Sequence, residues 1–339
     1  MKLNKSDLLD ALEKVKPGLA NREIIEQSTC FTFLGDRVVT YNDEISVSHP
    51  VKGLNVTGAV KAQTLYAFLN KIKKDEVDFE WKENQIVIKA GRAKAGLLFE
   101  NEVKLPLEEE LGEIENWVPL PDKFVEGLKL CYPCASRDMS RAILTCIHLT
   151  GDIIEASDTF QIIRYRLPSE IISGESILIP ATSVRELVKY DVKEMACTEA
   201  WIHFRTDEGT VFSARTIEGE FPDTAPHMEI EGDEFRFPDT MREALDKAIV
   251  FARDDLSLEE ISVVAVEVKP QRITIKAKNS YGWFEEVLKS SYEGKEFTFL
   301  IGIEFLINLF DRLQTCIISS NKIGFFGENW SHVIAIQSQ

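Results

Sequence analysis

The feature that most constrains this chain is a repeat: its 339 residues pass three times through one succession of elements. Three segments read as amphipathic helices, each opened by a capping side chain and reaching a leucine six positions on. They are Ser6-Asp-Leu-Leu-Asp-Ala-Leu12, Asp122-Lys-Phe-Val-Glu-Gly-Leu128 and Asp239-Thr-Met-Arg-Glu-Ala-Leu245. The residue before each leucine is small. Those residues, Ala11, Gly127 and Ala244, stand 116 and 117 positions apart.

β-Branched runs that break into a polar turn follow each helix: Val38-Val-Thr-Tyr-Asn-Asp43, Ile153-Ile-Glu-Ala-Ser-Asp158 and Ile273-Thr-Ile-Lys-Ala-Lys-Asn279. A second helix comes next, apolar at i, i+3 and i+4 through Leu65, Phe68 and Leu69, then Val184, Leu187 and Val188, then Leu306, Leu309 and Phe310. Short strands close each repeat, at 77–80 with 85–90, 200–204 with 210–214, and 316–319 with 322–325. Acidic, turn-rich linkers at 108–115 and 221–233 separate the copies. The reading is an α+β chain of three tandem modules, 1–115, 116–226 and 227–339, each with two helices on an antiparallel sheet.

Composition narrows the function. Thirty-nine Lys and Arg face 56 Asp and Glu, a formal charge of −17. Net charge reports solubility and long-range field rather than the sign of one face, so a basic lining remains open. The longest apolar stretch, 297–310, is broken by Glu304 and is too short for a bilayer. A soluble, cytoplasmic protein without membrane contact is expected. Six cysteines fit reduced thiols, and the lone Cys131-Tyr-Pro-Cys134 lacks the further ligands of a zinc site. Phosphate-loop, dinucleotide, zincin and nucleophile-elbow motifs are absent, and the five histidines lack ligand spacing. Asp254-Asp255 reads as a metal pair or as a solvated turn. No cofactor, metal or enzymatic activity is expected, and the chain should act through shape. Helix and loop cations such as Lys61, Lys73, Lys123, Lys129, Arg141, Arg242, Lys247 and Arg253 either line a surface for a polyanion or serve solubility.

Several stretches resemble the bacterial DNA polymerase III beta subunit, the sliding clamp. Ala156-Ser-Asp-Thr-Phe-Gln-Ile162 resembles that family's Ala-Thr-Asp-Gly-His-Arg-Leu signature. Ile177-Leu-Ile-Pro-Ala-Thr-Ser-Val-Arg-Glu-Leu187 resembles its strand-to-helix entry, and Thr216-Ile-Glu-Gly-Glu-Phe-Pro-Asp223 its Phe-Pro-Asp linker. Gly18-Leu-Ala-Asn-Arg22 and Ala90-Gly-Arg-Ala-Lys94 have counterparts in the first module. The resemblance covers essentially the whole chain. It departs where Phe160-Gln161 replaces His-Arg, at Pro226-His227, and in the tail Val333-Ile-Ala-Ile-Gln-Ser-Gln339, as in a divergent or phage-borne member.

The resemblance implies a homodimeric ring of six modules around duplex DNA, tethering a replicative polymerase as a processivity factor. The alternative is a clamp-derived interaction scaffold that keeps the peptide groove without encircling DNA. DNA contacts are implied for Arg22 and Arg137, and for Lys71, Lys74, Arg185 and Lys189 on helices facing the hole. A pocket for short linear motifs of the polymerase and clamp loader is implied at Leu144, Ser157, Thr159, Phe160, Gln161, Ile162, Pro222, Phe305, Val333 and Ala335. Plain core packing is the other reading of Leu144, Ile162 and Val333. Leu105 on the first module and Val250 with Phe251 on the third are implied at the dimer interface, each contributing roughly 1.5–3 kcal/mol on burial.

Overall fold

A computed structural model describes residues 1–253, 262–310 and 314–338. One element order recurs three times. The first passage opens with β1 (Lys2–Asn4) and α1 (Lys5–Val15). It continues through β2 (Cys30–Gly35), β3 (Arg37–Tyr41), β4 (Ile45–Pro50) and β5 (Val56–Lys61) to α2 (Ala62–Lys71). It closes with β6 (Glu76–Lys82), β7 (Gln85–Ala90) and β8 (Ala93–Leu98).

After a short α3 (Leu107–Leu111), the second passage runs β9 (Val118–Pro119), α4 (Phe124–Cys131), β10 (Cys146–Gly151), β11 (Ile153–Ser157), β12 (Gln161–Arg166) and β13 (Ile172–Pro180). Then come α5 (Ala181–Leu187), β14 (Val192–Cys197), β15 (Trp201–Thr206) and β16 (Val211–Arg215). A short α6 (Ala225–Met228) leads to β17 (Asp233–Arg236), α7 (Met241–Ala252), β18 (Val263–Lys269), β19 (Arg272–Asn279), β20 (Gly282–Lys289) and β21 (Phe297–Gly302). The last stretch is α8 (Ile303–Phe310), β22 (Thr315–Ile318), β23 (Lys322–Phe326), β24 (Trp330–Ala335) and β25 (Gln337–Ser338).

In each passage the opening strand pairs antiparallel with the strand after the second helix: β1 with β6, β9 with β14, β17 with β22. The repeat therefore exists in pairing as well as in order.

Packing groups the elements into two compact units. The first holds Met1–Tyr132, Cys146–Asp152 and Leu167–Gly219; the second holds Pro133–Thr145, Ile153–Arg166 and Glu220–Gln339. In the first unit one sheet runs β5-β2-β3-β4-β16-β15-β14-β9 and another β1-β6-β7-β8. The second unit contains the run β11-β12-β24-β23-β22-β17 and the sheet β20-β19-β18-β21-β25. Strand pairs β4·β16 and β12·β24 carry sheets across the repeat boundaries, which is why packing does not separate the copies.

The helix periodicity reports burial faithfully. Leu12, Leu128 and Leu245 are each 0% exposed, and the small neighbours Ala11, Gly127 and Ala244 are buried with them. A larger side chain there would hold the helix off the sheet. Leu65 and Leu69 of α2, Val184 and Leu187 of α5, and Leu306 and Leu309 of α8 are buried in turn.

The caps differ from the sequence reading. Asn4, not Ser6, caps α1, its side-chain oxygen accepting the amides of Ser6 (2.8 Å) and Asp7 (3.3 Å). Neither Asp122 nor Asp239 caps its helix. Both follow a proline in a tight turn whose proline carbonyl takes the first helical amide, Phe124 to Pro121 (3.2 Å) and Met241 to Pro238 (2.9 Å). The carbonyl does the work assigned to the aspartate. Strands also outnumber the reading: β14 precedes the pair placed at 200–214.

Candidate functional site

The second unit holds a cavity of about 360 Å³ built on the β12·β24 pair. Antiparallel register sets Ile162 opposite Val333 and Gln161 opposite Ile334, so the two strands furnish its floor, with Ala335 beyond. The turn before β12 supplies Ser157, Thr159 and Phe160; Leu144 comes from the 3₁₀ turn Met139–Thr145 and Pro222 from the linker. Nine of the ten residues named from the resemblance thus converge on one hollow. Phe305 is the exception: it packs against the core around α7, α8 and β18–β21 and does not line the cavity. Asp223, Thr224, His227, Asn321 and Lys322 line it and were not foreseen.

Local chemistry shapes that rim. The Asp158 carboxylate accepts the amides of Phe160 (2.9 Å) and Gln161 (3.0 Å) at one oxygen and the Gln161 side-chain amide (2.8 Å) at the other. This ties a turn tight enough to force Thr159 to φ +81° and to leave Phe160 50% exposed. Burial pushes the Asp158 pKa up, against the pull of these hydrogen bonds. Behind the floor the Gln161 oxygen lies 2.8 Å from the His332 Nε2.

The wall carrying Pro222 is pinned by a buried ion pair. Arg164 reaches Glu155 at 2.9 Å, and Thr224 joins both, donating to the Glu155 carboxylate (2.7 Å) and accepting from the Arg164 guanidinium (2.7 Å). Lys322 donates to the carbonyl of His227 (3.3 Å) and to that of Glu229, fastening the other end of the linker. Apolar floor and polar rim together suit an extended peptide.

The cations fall into two classes. Arg22, Lys71 and Lys74 in the first unit, and Arg137 in the second, are exposed and have no carboxylate partner among the described residues. The Lys74 chain lies over the β7–β8 turn, its Nζ 3.2 Å from where a Cβ on Gly91 would stand. Arg185 and Lys189 share one carboxylate, Glu186, at 3.6 and 2.5 Å. They border a depression in which Lys14 meets Asp10 (2.8 Å) and Glu208 (2.6 Å) and Lys16 meets Glu13 (2.6 Å). Each of these four cations stands beside a carboxylate.

Val250, 66% exposed, lies in the last turn of α7, and Phe251 stacks on Phe284 of the edge strand β20 at 6.1 Å. Leu105, in the first unit, is 7% exposed and packed with Tyr41 and Trp201. Cys131 and Cys134 are buried, with the Cys134 sulfur 4.0 Å from His332. Asp254 and Asp255 lie outside the described residues. Among the described residues no helix is long and apolar enough to cross a membrane.

No protein-family model matches the sequence, and no curated protein does. Solved structures do match. The chain is similar to the DNA polymerase sliding clamp from Bacillus subtilis, with a TM-score of 0.83 at 17% identity over 99% of this chain and 98% of that one. The beta subunit from the DNA polymerase of Streptococcus pyogenes gives 0.83 at 18%, over 100% and 99%. A sliding clamp from Pseudomonas aeruginosa, solved with ligand, gives 0.84 at 16%, over 99% of each. At these identities the likeness is one of fold, and it runs the length of the chain. This protein has the fold of the bacterial DNA polymerase sliding clamps.

Proposed function

We propose that the chain is a DNA polymerase processivity factor: three modules, 1–115, 116–226 and 227–339, which pair head to tail with a second copy to close around duplex DNA. It is not an enzyme on this reading, and it works in the cytoplasm. The observation that carries the reading is the pairing of successive repeats, β4 with β16 and β12 with β24, which among the described residues leaves the corresponding strands β20 and β8 unpaired on that side at opposite ends of the series. A closed series leaves no such edge exposed to aggregation. Enclosure then tethers a polymerase by topology, and cations already paired with carboxylates suit sliding because each phosphate bound adds salt-dependent affinity that acts as a brake.

The cavity on β12·β24 is the dock for short motifs of the polymerase and clamp loader. The test is solution mass at micromolar concentration together with retention on circular DNA. A dimer held on circles and lost on linearisation is expected; a strict monomer that is not held overturns the reading. Peptides carrying Gln-Leu-x-Leu-Phe-like motifs test the cavity directly.

The neutralisation of Arg185 and Lys189 by Glu186 favours a second reading, an interaction scaffold that keeps the cavity and does not encircle DNA. Substituting Arg22→Ala with Arg137→Ala separates the two. Lower polymerase processivity supports the clamp, and unchanged processivity supports the scaffold.

A further inference from the structure

The two repeat joins inside the chain are built alike, and one of them is filled. In the first unit the hairpin β3–β4 ends on the pair Tyr41·Ser46; in the second, β11–β12 ends on Ser157·Ile162. Each closes with the same turn. The Asn42 side-chain oxygen accepts the amides of Glu44 (3.1 Å) and Ile45 (2.8 Å), as Asp158 accepts those of Phe160 and Gln161. Asp43 takes φ +76° where Thr159 takes +81°. Across the joins Ser46 faces Ser213 as Ile162 faces Val333. The facing hairpins have their open ends at Trp201·Arg215 and Lys322·Ala335. The cavity on β12·β24 therefore has a counterpart on β4·β16, with Tyr41 in the place of Ser157, Trp201 in that of Lys322 and Arg215 in that of Ala335.

The chain fills this counterpart itself. Leu105 packs with Tyr41 and Trp201, and Val103, Leu107 and Leu111 lie against that cluster. The Glu110 carboxylate meets the Arg215 guanidinium (2.6 Å), which lies over the Trp201 ring and also holds Asp43 (2.7 Å). Gln27, 1% exposed, grips the main chain leading in: its side-chain amide donates to the Glu102 carbonyl (2.8 Å), and its oxygen accepts the Lys104 amide (2.9 Å). A main chain held by polar groups, leucines two apart on an aromatic floor and a carboxylate on an arginine are the contacts by which a protein takes a peptide. In the second unit the matching positions leave room. Ser157 and Ala335 are short, and the Lys322 ammonium is drawn aside to the carbonyls of His227 and Glu229.

We infer that the β4·β16 join is a second peptide site, closed in this structure by the chain's own segment 102–111. Its ligand is an extended peptide with two leucines separated by one residue and an acidic residue three further on, the pattern of Leu105, Leu107 and Glu110. The inference holds whatever the β12·β24 cavity binds. A tethered segment has an effective concentration on the order of millimolar, so an outside peptide of ~10 μM affinity for the vacated site is held off about a hundredfold. A partner with the same pattern enters only as the segment lets go. The chain thus carries one open hollow and one closed.

A labelled copy of the segment tests this. The probe is a fluorescein-tagged peptide of residues 101–112, titrated against the full chain and read by fluorescence anisotropy. The wild type should bind it weakly. Leu105→Ala with Leu107→Ala weakens the tethered copy and should raise probe affinity roughly tenfold or more. Glu110→Gln leaves every leucine in place and should give a smaller rise in the same direction. Adding Arg215→Ala to either chain should remove most of the gain, and a probe with both leucines replaced by alanine should not bind. Circular dichroism checks the fold, and where the leucine variant does not fold, the Glu110→Gln chain decides. A folded variant that takes the probe no better than the wild type overturns the site. A gain that survives Arg215→Ala and disappears on Ala335→Arg places the probe in the β12·β24 cavity and overturns it equally.

Discussion

At the scale of single residues, the buried imidazole of His203 sets a pH dependence that can be isolated. It is 0% exposed on β15, hydrogen-bonded to Ser213 (2.7 Å) and Thr198 (3.0 Å), and burial pushes its pKa down to about 4. The unfolded chain takes up that proton near pH 6.5 and the folded chain only near 4, so stability falls as pH drops through this window. The shift corresponds to about 3 kcal/mol at most, fully lost below the folded value. Replacing His203 by Gln keeps two hydrogen-bonding groups and removes the titration. Urea unfolding at pH 7 and at pH 4.5 should show the wild type losing up to about 3 kcal/mol more than the variant. Equal losses in both would refute the assignment. Residue roles were unevenly legible. Ile162 and Val333 could be named only through the family resemblance, because the strand pair that sets them on one floor joins segments far apart in sequence. Leu105 and Phe305 are apolar residues whose surroundings come from distant segments, and their type does not distinguish an interface from a core.

At the scale of elements, the linker before α6 is held by chemistry rather than by secondary structure. Thr224 is its anchor, bonded to both members of the Glu155–Arg164 pair, and the pair itself is nearly dry, at 5% and 20% side-chain exposure. Removing the hydroxyl in Thr224→Val leaves two charged groups each short of a partner. Hydrogen bonds to charged groups contribute roughly 1.5–3 kcal/mol, so chemical denaturation should register a loss of about 2–3 kcal/mol. If the cavity is the peptide dock proposed above, the same variant should bind motif peptides more weakly, because the wall bearing Pro222 is released. Unchanged stability would mean that the hydroxyl does not hold the linker. The helices were readable because each carries its burial in its own 3.6-residue period. The opening strands were not. β1, β9 and β17 are two to four residues long, and each owes its existence to a partner strand tens of residues away, Lys2 facing Asp78 in the first case. β14 was hidden by an irregular register beside Val192, which blurs the alternation that marks a strand. The Pro-Asp turns before α4 and α7 misled in another way: the aspartate is the expected capping type, and the proline carbonyl takes the amide instead.

At the scale of the whole molecule, the ring reading joins the charge of −17 to the paired cations. A ring that holds DNA by enclosure gains nothing from tight phosphate contacts and loses mobility through them. On that reading Glu186 is the residue where the balance is set, since one carboxylate answers both Arg185 and Lys189. Glu186→Gln keeps the side chain's size and half-buried place and frees two cations. On the ring reading each freed cation can neutralise one phosphate, and the logarithmic salt dependence of DNA binding steepens by about 0.9 per phosphate. The variant should therefore bind short duplex DNA more tightly at low salt, with a slope larger in magnitude by roughly 1–2, and should diffuse more slowly along a circular template. The effect should vanish when Arg185→Ala and Lys189→Ala are added. A slope unchanged by Glu186→Gln would place these two side chains away from the DNA path, leaving Arg22, Lys71, Lys74 and Arg137 to make whatever contact the hole requires.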